Sequence, residues 1–199
     1  MVYCIIIIYT NQKEGKFLKE VTIHARAGQG AITVAAILGN AVFWEGKYAL
    51  AFPHFGAARM GAPMNSFVRI NDRIIRIRSQ IYEPDYIMVV DYTLMRGFNV
   101  FQDIKWGGSA FINQPDRMPT PQVHGVRVYT IPADEISHEI FGSALGNNTV
   151  LLGAFAAGVE EVSIESLYRA IDEKFTGEIA RDNKKALEEG FYYFLNKYS

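Results

Sequence analysis

Cysteine is almost missing from this sequence. Its 199 residues contain one, Cys4. That excludes an internal disulfide and a cysteine-ligated zinc or iron–sulfur site within the chain. A charge excess is missing too: 20 basic residues face 21 acidic ones, for a formal net charge of −1. Nothing in the bulk electrostatics therefore draws the chain to nucleic acid or to an anionic membrane. The apolar N-terminal run Val2–Tyr9 is far shorter than the roughly 20 residues a membrane span needs. It also lacks the basic start and small-residue cleavage site of a secretory signal, and it reads as a strand. These absences predict a cytoplasmic protein without nucleic-acid or membrane partners.

Catalytic equipment is equally sparse. The four histidines, His24, His54, His124 and His138, show no metal-binding spacing, so no metal site is predicted. No serine sits in a Gly-x-Ser-x-Gly elbow, and Cys4 lies in an apolar run, so no nucleophile is visible. Asp91 ends an apolar run, where it reads either as a catalytic carboxylate or as the N-cap of a helix before Leu94. No catalytic residue is assigned. Any hard chemistry belongs to a cofactor held elsewhere.

What the chain does contain is 49% hydrophobic residues and enough length for one domain with a real core. A β-rich run, Val21–Ile23, feeds the small-residue turn Arg26-Ala27-Gly28-Gln29-Gly30, and an apolar-periodic segment follows from Ala31 to Trp44. Val34, Ile37, Leu38, Ala41 and Val42 fall on one helical face, with Gly46 as the stop. Tyr48–Phe52 reads as a short strand leaving at Pro53. Asn65–Ser79 reads as a hairpin turning at Asn71-Asp72. That register would put Val68, Ile70, Ile75 and Ile77 on one face and Arg69, Arg76 and Arg78 on the other. Tyr86–Asp91, Ser109–Asn113 and Val126–Ile131 have the unbroken apolar character of strands buried on both faces. Ala133–Phe141, Thr149–Gly158, Ile164–Phe175 and Ile179–Tyr198 read as helices. The alternation predicts an α/β class, Rossmann-like, with a mostly parallel sheet flanked by helices and one antiparallel hairpin.

A Gly-rich turn between strand and helix can cradle an anion, because glycine permits close approach and the first N–H groups of the helix are free. Here the fingerprint is incomplete. Thr33 stands at the third glycine position, no acidic residue closes Tyr48–Phe52, and no Lys-Ser/Thr follows Gly30. NAD, FAD and P-loop binding are therefore not predicted. Gly28 and Gly30 fit either a phosphate-like ligand or tight packing of strand on helix. The loop Pro53–Pro63 combines Phe55, Arg59, Met60, Gly61 and Pro63. That apolar-plus-arginine mixture suits a subunit interface, to which the arginines 69, 76 and 78 are added.

Several ordered blocks together resemble one family. Arg26-Ala-Gly-Gln-Gly-Ala, Glu45-Gly-Lys-Tyr-Ala-Leu-Ala-Phe-Pro-His-Phe-Gly, Arg59-Met-Gly-Ala-Pro and Phe67-Val-Arg-Ile are similar to the γ subunit of 2-oxoacid:ferredoxin oxidoreductases, the pyruvate and 2-oxoisovalerate synthase group. Ile81-Tyr-Glu-Pro-Asp and Asn148-Thr-Val-Leu-Leu-Gly-Ala fit the same pattern. Residues 21–199 are covered as one domain, and residues 1–20 stand apart as an N-terminal extension read as a strand. Ala25 and Ala27 occupy positions where the family usually has glycine, so the backbone there must keep φ negative.

The resemblance implies a subunit of an enzyme that converts a 2-oxoacid and coenzyme A to an acyl-CoA and CO2 while reducing ferredoxin. It implies alpha, beta and delta-type partner subunits that hold thiamine diphosphate and iron–sulfur clusters. Coenzyme A is the co-substrate, and residues 26–30 are the stretch expected to contact it. The competing reading is a stand-alone nucleotide- or acyl-CoA-binding regulatory module without redox activity.

Overall fold

The computed structural model describes residues 18–55 and 59–199, the side chain of Phe55 excepted. The expected strand Val2–Tyr9 lies outside the described residues. Among the described residues six strands form one sheet in the order β2-β3-β1-β4-β5-β6. They are β1 (Lys19–Arg26), β2 (Tyr48–Phe55), β3 (Pro63–Asn71), β4 (Tyr86–Val89), β5 (Ser109–Asn113) and β6 (Arg127–Ile131). Strands β1, β4, β5 and β6 run parallel, whereas β3 is antiparallel to both its neighbours, β2 and β1. Because β1 begins at Lys19, the sheet takes two residues from the segment read as an extension.

The described residues also form five helices: α1 (Ala31–Trp44), α2 (Ala133–Phe141), α3 (Asn147–Gly158), α4 (Ile164–Lys174) and α5 (Gly177–Tyr198). They pack on the sheet face that carries Val21, Ile23, Val68, Met88 and Phe111. The alternate residues Ile87, Val89, Ala110 and Ile112 build a smaller core on the other face, covered by the 3-10 turn at 92–96 and the loops around Val100 and Val126. Strand β4 is buried along its whole length, as an unbroken apolar run requires. Helix α3 is buried from Asn147 to Ala156. Among the described residues no single helix is long and apolar enough to cross a membrane.

Two expectations are corrected. Strand β2 does not leave at Pro53 but continues to Phe55, with Pro53 opposite Ser66. The strand lies at the edge of the sheet, where a proline costs no inward hydrogen bond. The antiparallel hairpin is β2–β3, not Asn65–Ser79: β3 ends at Asn71, and residues 73–78 pair with no strand among the described residues. The cause is Arg69. Only 2% exposed, its guanidinium donates to the carbonyl oxygens of Ile77, Ser79 and Gln80 (3.2, 2.7 and 3.1 Å), and its Nε meets Glu20 at 2.8 Å. A buried guanidinium needs such partners. Arg69 therefore lies inside the chain rather than at an interface, and it shares no face with Arg76 and Arg78, which are exposed.

Candidate functional site

The residues 26–30 follow β1 at the carboxyl edge of the parallel strands, the edge where open α/β sheets bind ligands. β1 is also where the topology reverses, since the chain builds β2 and β3 on one side before returning to β4 on the other. The turn closes on itself: Arg26 N donates to the Gln29 side-chain oxygen at 2.7 Å, and Gln29 N donates to the Arg26 carbonyl at 3.0 Å. Gly28 (φ 102°) and Gly30 (φ 75°) occupy the left-handed region, which explains both glycines. Asp103 is the sole non-glycine residue with positive φ among those described. Ala25 and Ala27 thus meet the condition that replacing glycine imposed.

Asp91, just past the carboxyl end of the neighbouring strand β4, braces the turn. Its carboxylate accepts from Arg26 Nε at 2.8 Å and Gln29 Nε2 at 3.1 Å, and from the N–H and hydroxyl of Thr93 at 2.9 and 2.6 Å. It is therefore the N-cap of the 3-10 turn at 92–96 and a clamp on residues 26–29 at once. Partial burial pushes this carboxyl upward, but the bonds from Thr93, Gln29 and Arg26 outweigh it and hold the group below the usual carboxylate range. Arg26 spends Nε on Asp91 and Nη2 on Thr93. Its Nη1 has only a long 3.4 Å contact to the Gly61 carbonyl, and the side chain is 34% exposed. Next to it, His24 Nδ1 lies 2.9 Å from Asn65 Oδ1. Burial lowers that imidazole to about 4, opposed by its hydrogen bonds to Asn65 and to the Val100 backbone. It is neutral near pH 7 and belongs to the frame.

From the helix side, Asn148 at the start of α3 donates to the Gln29 carbonyl at 3.0 Å. Its amide occupies the space a Cβ on Gly30 would need. The chain blocks that resemble the family thus meet in space: 26–30, 59–63 and 148–154 converge on one turn. A second polar chain runs alongside, from Asn113 to Asp134 (2.9 Å) and from Asn147 to the same carboxylate (2.7 Å). The Glu45-Gly-Lys block has a different task. Glu45 accepts from the N–H and hydroxyl of Ser163 (3.0 and 2.6 Å), and Lys47 reaches the Glu161 carbonyl at 2.7 Å, which ties the end of α1 to the start of α4.

A cleft of about 270 Å³ opens beside the turn, lined by Gly28, Gly30 and Thr33 on one wall. Leu145, Asn148 and Thr149 form the other, with Phe141, Phe175 and Asn183 around them. The starts of α1 and α3 both face it, and neither N-cap, Gly30 or Gly146, caps its helix with a side chain. Their terminal N–H groups suit an anionic or amide-bearing ligand. Among the described residues no cationic side chain lines the cleft; the Arg26 side chain turns instead to Asp91 and Thr93. The sequence pointed to the glycines but not to Thr149, Asn183 or Phe175. Of these, only Thr149 belongs to a family-like block.

The interface candidates divide. Arg59, Met60 (82% exposed) and Gly61 are exposed, while Pro63 pairs with Arg26 in the β1–β3 ladder. The loop is not independent of the turn, for Gly61 N donates to the Ala27 carbonyl at 3.0 Å and Ala27 N to that of Ala62 at 2.8 Å.

Known proteins resemble this chain in sequence and fold. The chain is 43% identical to the pyruvate synthase subunit PorC of Methanocaldococcus jannaschii over 180 residues, 90% of this chain and 98% of that protein. It is 41% identical over 176 residues to the common gamma subunit of the pyruvate/ketoisovalerate oxidoreductases of Thermococcus litoralis, covering 86% and 95% of the two chains. Among solved structures, the pyruvate oxidoreductase subunit PORC of Thermotoga maritima superposes with a TM-score of 0.74 at 28% identity, over 89% of this chain and 97% of that one. The fold also recurs within 2-oxoglutarate:ferredoxin oxidoreductase from Magnetococcus marinus, with a TM-score of 0.76 at 21% identity. There the match covers 91% of this chain but 32% of that one. Residues 20–193 match the family model for pyruvate ferredoxin/flavodoxin oxidoreductase, and the chain belongs to that family.

Proposed function

We propose that this chain is the gamma subunit of a cytoplasmic, multi-subunit pyruvate or branched-chain 2-oxoacid:ferredoxin oxidoreductase, inactive alone, in which it binds coenzyme A and helps close the assembly. The complete enzyme decarboxylates a 2-oxoacid, transfers the acyl group to coenzyme A and passes electrons to ferredoxin. The observation that carries this reading is the pre-formed turn 26–30, locked by Asp91 and Asn148 beside a cleft of neutral amide and hydroxyl groups. Such a cleft matches the uncharged, amide-bearing arm of coenzyme A. The helix starts match its phosphates, and the part-exposed Arg26 guanidinium, whose Nη1 makes only a long contact to the Gly61 carbonyl, adds a cation beside the turn.

The electron-transfer chemistry belongs to the alpha, beta and delta-type subunits. The described residues include no cysteine and no group of three His, Cys, Asp or Glu side chains arranged around a common point, so they offer no donor set for an iron–sulfur cluster. Thiamine diphosphate, bound by a partner, supplies the carbanion stabilisation that decarboxylation requires. This chain orients coenzyme A, and its exposed loop Arg59–Gly61 faces a neighbouring subunit.

Reconstitution tests the reading. The full chain mixed with its partner subunits should support 2-oxoacid- and coenzyme A-dependent reduction of ferredoxin, and the chain alone should support none. Activity from the isolated chain would contradict the proposal, as would full activity of the partners without it.

A further inference from the structure

Residues 73–78, Arg-Ile-Ile-Arg-Ile-Arg, have the composition of a strand but pair with no strand among the described residues. Isoleucine is among the residues that favour a pleated surface, yet the segment makes no backbone–backbone hydrogen bond with the described residues. It is held to the sheet from its carboxyl end, where Arg69 draws in the carbonyls of Ile77, Ser79 and Gln80. Arg73, Arg76 and Arg78 are exposed, and none forms an ion pair with a carboxylate among the described residues. Ile74 and Ile77, between them, are 42% and 52% exposed.

We infer that residues 73–78 are a docking strip for another subunit of the same enzyme, which lays a carboxylate-bearing extended segment along the backbone groups that no described strand pairs. Unpaired N–H and C=O groups in an extended segment are a template for strand addition. The three arginines select acidic side chains and fix the register. The interleaved isoleucines give the contact an apolar component that a nucleic-acid backbone would not use, and the chain as a whole, at −1, is no polyanion binder. The strip lies at the amino end of β1, away from the cleft, because β3 runs antiparallel to β1 and ends there. The inference rests on the family assembly proposed above.

Hydrogen exchange of the full chain, alone and in the assembled enzyme, tests it. The amides of residues 73–78 should exchange almost freely in the chain alone and slow by at least about tenfold on assembly. The triple variant Arg73→Glu/Arg76→Glu/Arg78→Glu should fold with an unchanged melting temperature and lose co-purification of the subunit that binds the strip. A complex whose 73–78 amides exchange as in the chain alone overturns this inference and leaves the assembly reading intact. A chain that captures no subunit overturns both.

Discussion

The turn at residues 26–30 and the ribbon at residues 73–78 leave the same pair of strands at opposite ends, and the chain treats them in opposite ways. At the turn, Arg26, Gln29, Asp91 and Asn148 satisfy one another, and two glycines with positive φ let them approach. At the ribbon, residues 73–78 make no backbone–backbone hydrogen bond with the described residues, and one buried arginine holds the far end through the carbonyls of Ile77, Ser79 and Gln80. The first region is complete before any ligand arrives, so little ordering cost is left to binding. The second is completed only by association. A subunit of a larger enzyme needs both: a site already in its working geometry and an edge left open for a neighbour.

The largest expected effect comes from removing the link between ribbon and sheet. Arg69→Met deletes four hydrogen bonds and leaves Glu20 without its closest partner. Breaking a buried charge pair costs about 3–5 kcal/mol, measurable as a lower denaturant midpoint, and trypsin should cut first at Arg73, Arg76 and Arg78. Unchanged stability would mean that the ribbon is not anchored as described. A smaller loss is expected from Gly30→Ala. It forces a side chain into the left-handed region and displaces the Asn148 amide, for about 2–3 kcal/mol, with increased exchange at residues 26–30 while 73–78 are unaffected. If both segments loosened together, the two regions would be one cooperative unit and the contrast would fail.

Much of this was legible in the sequence because it is local. The helix Ala31–Trp44 has its expected bounds, with Val34, Ile37, Leu38, Ala41 and Val42 buried and Gly46 at φ 75°. The strand Ser109–Asn113 does too. The misplaced hairpin shows where local pattern stops. Residues 73–78 carry as much strand character as Asn65–Asn71, and only the demand of a buried Arg69 for carbonyl partners decides against pairing. Pro53 was misjudged for a related reason, since an edge position is a property of the sheet and not of the residue. At the candidate site the glycines were visible, but their partners were not. Asp91 and Asn148 lie 62 and 119 residues from Gln29, and no spacing rule connects them.

The central claim, that the braced turn serves coenzyme A, is tested most directly by comparing Arg26→Ala with Asp91→Asn in the assembled enzyme. Asp91→Asn weakens the same brace but keeps the guanidinium, so it controls for loosening of the turn. Losing one charge-assisted bond of roughly 1.5–3 kcal/mol corresponds to a rise in the KM for coenzyme A of about 10- to 150-fold in Arg26→Ala. Asp91→Asn should show a much smaller rise. In both variants the reduction of ferredoxin by the 2-oxoacid before coenzyme A enters should be largely spared. If Arg26→Ala lost decarboxylation equally with and without coenzyme A, or if the two variants behaved alike, the turn would serve the thiamine site or the assembly, and the assignment to coenzyme A would be wrong.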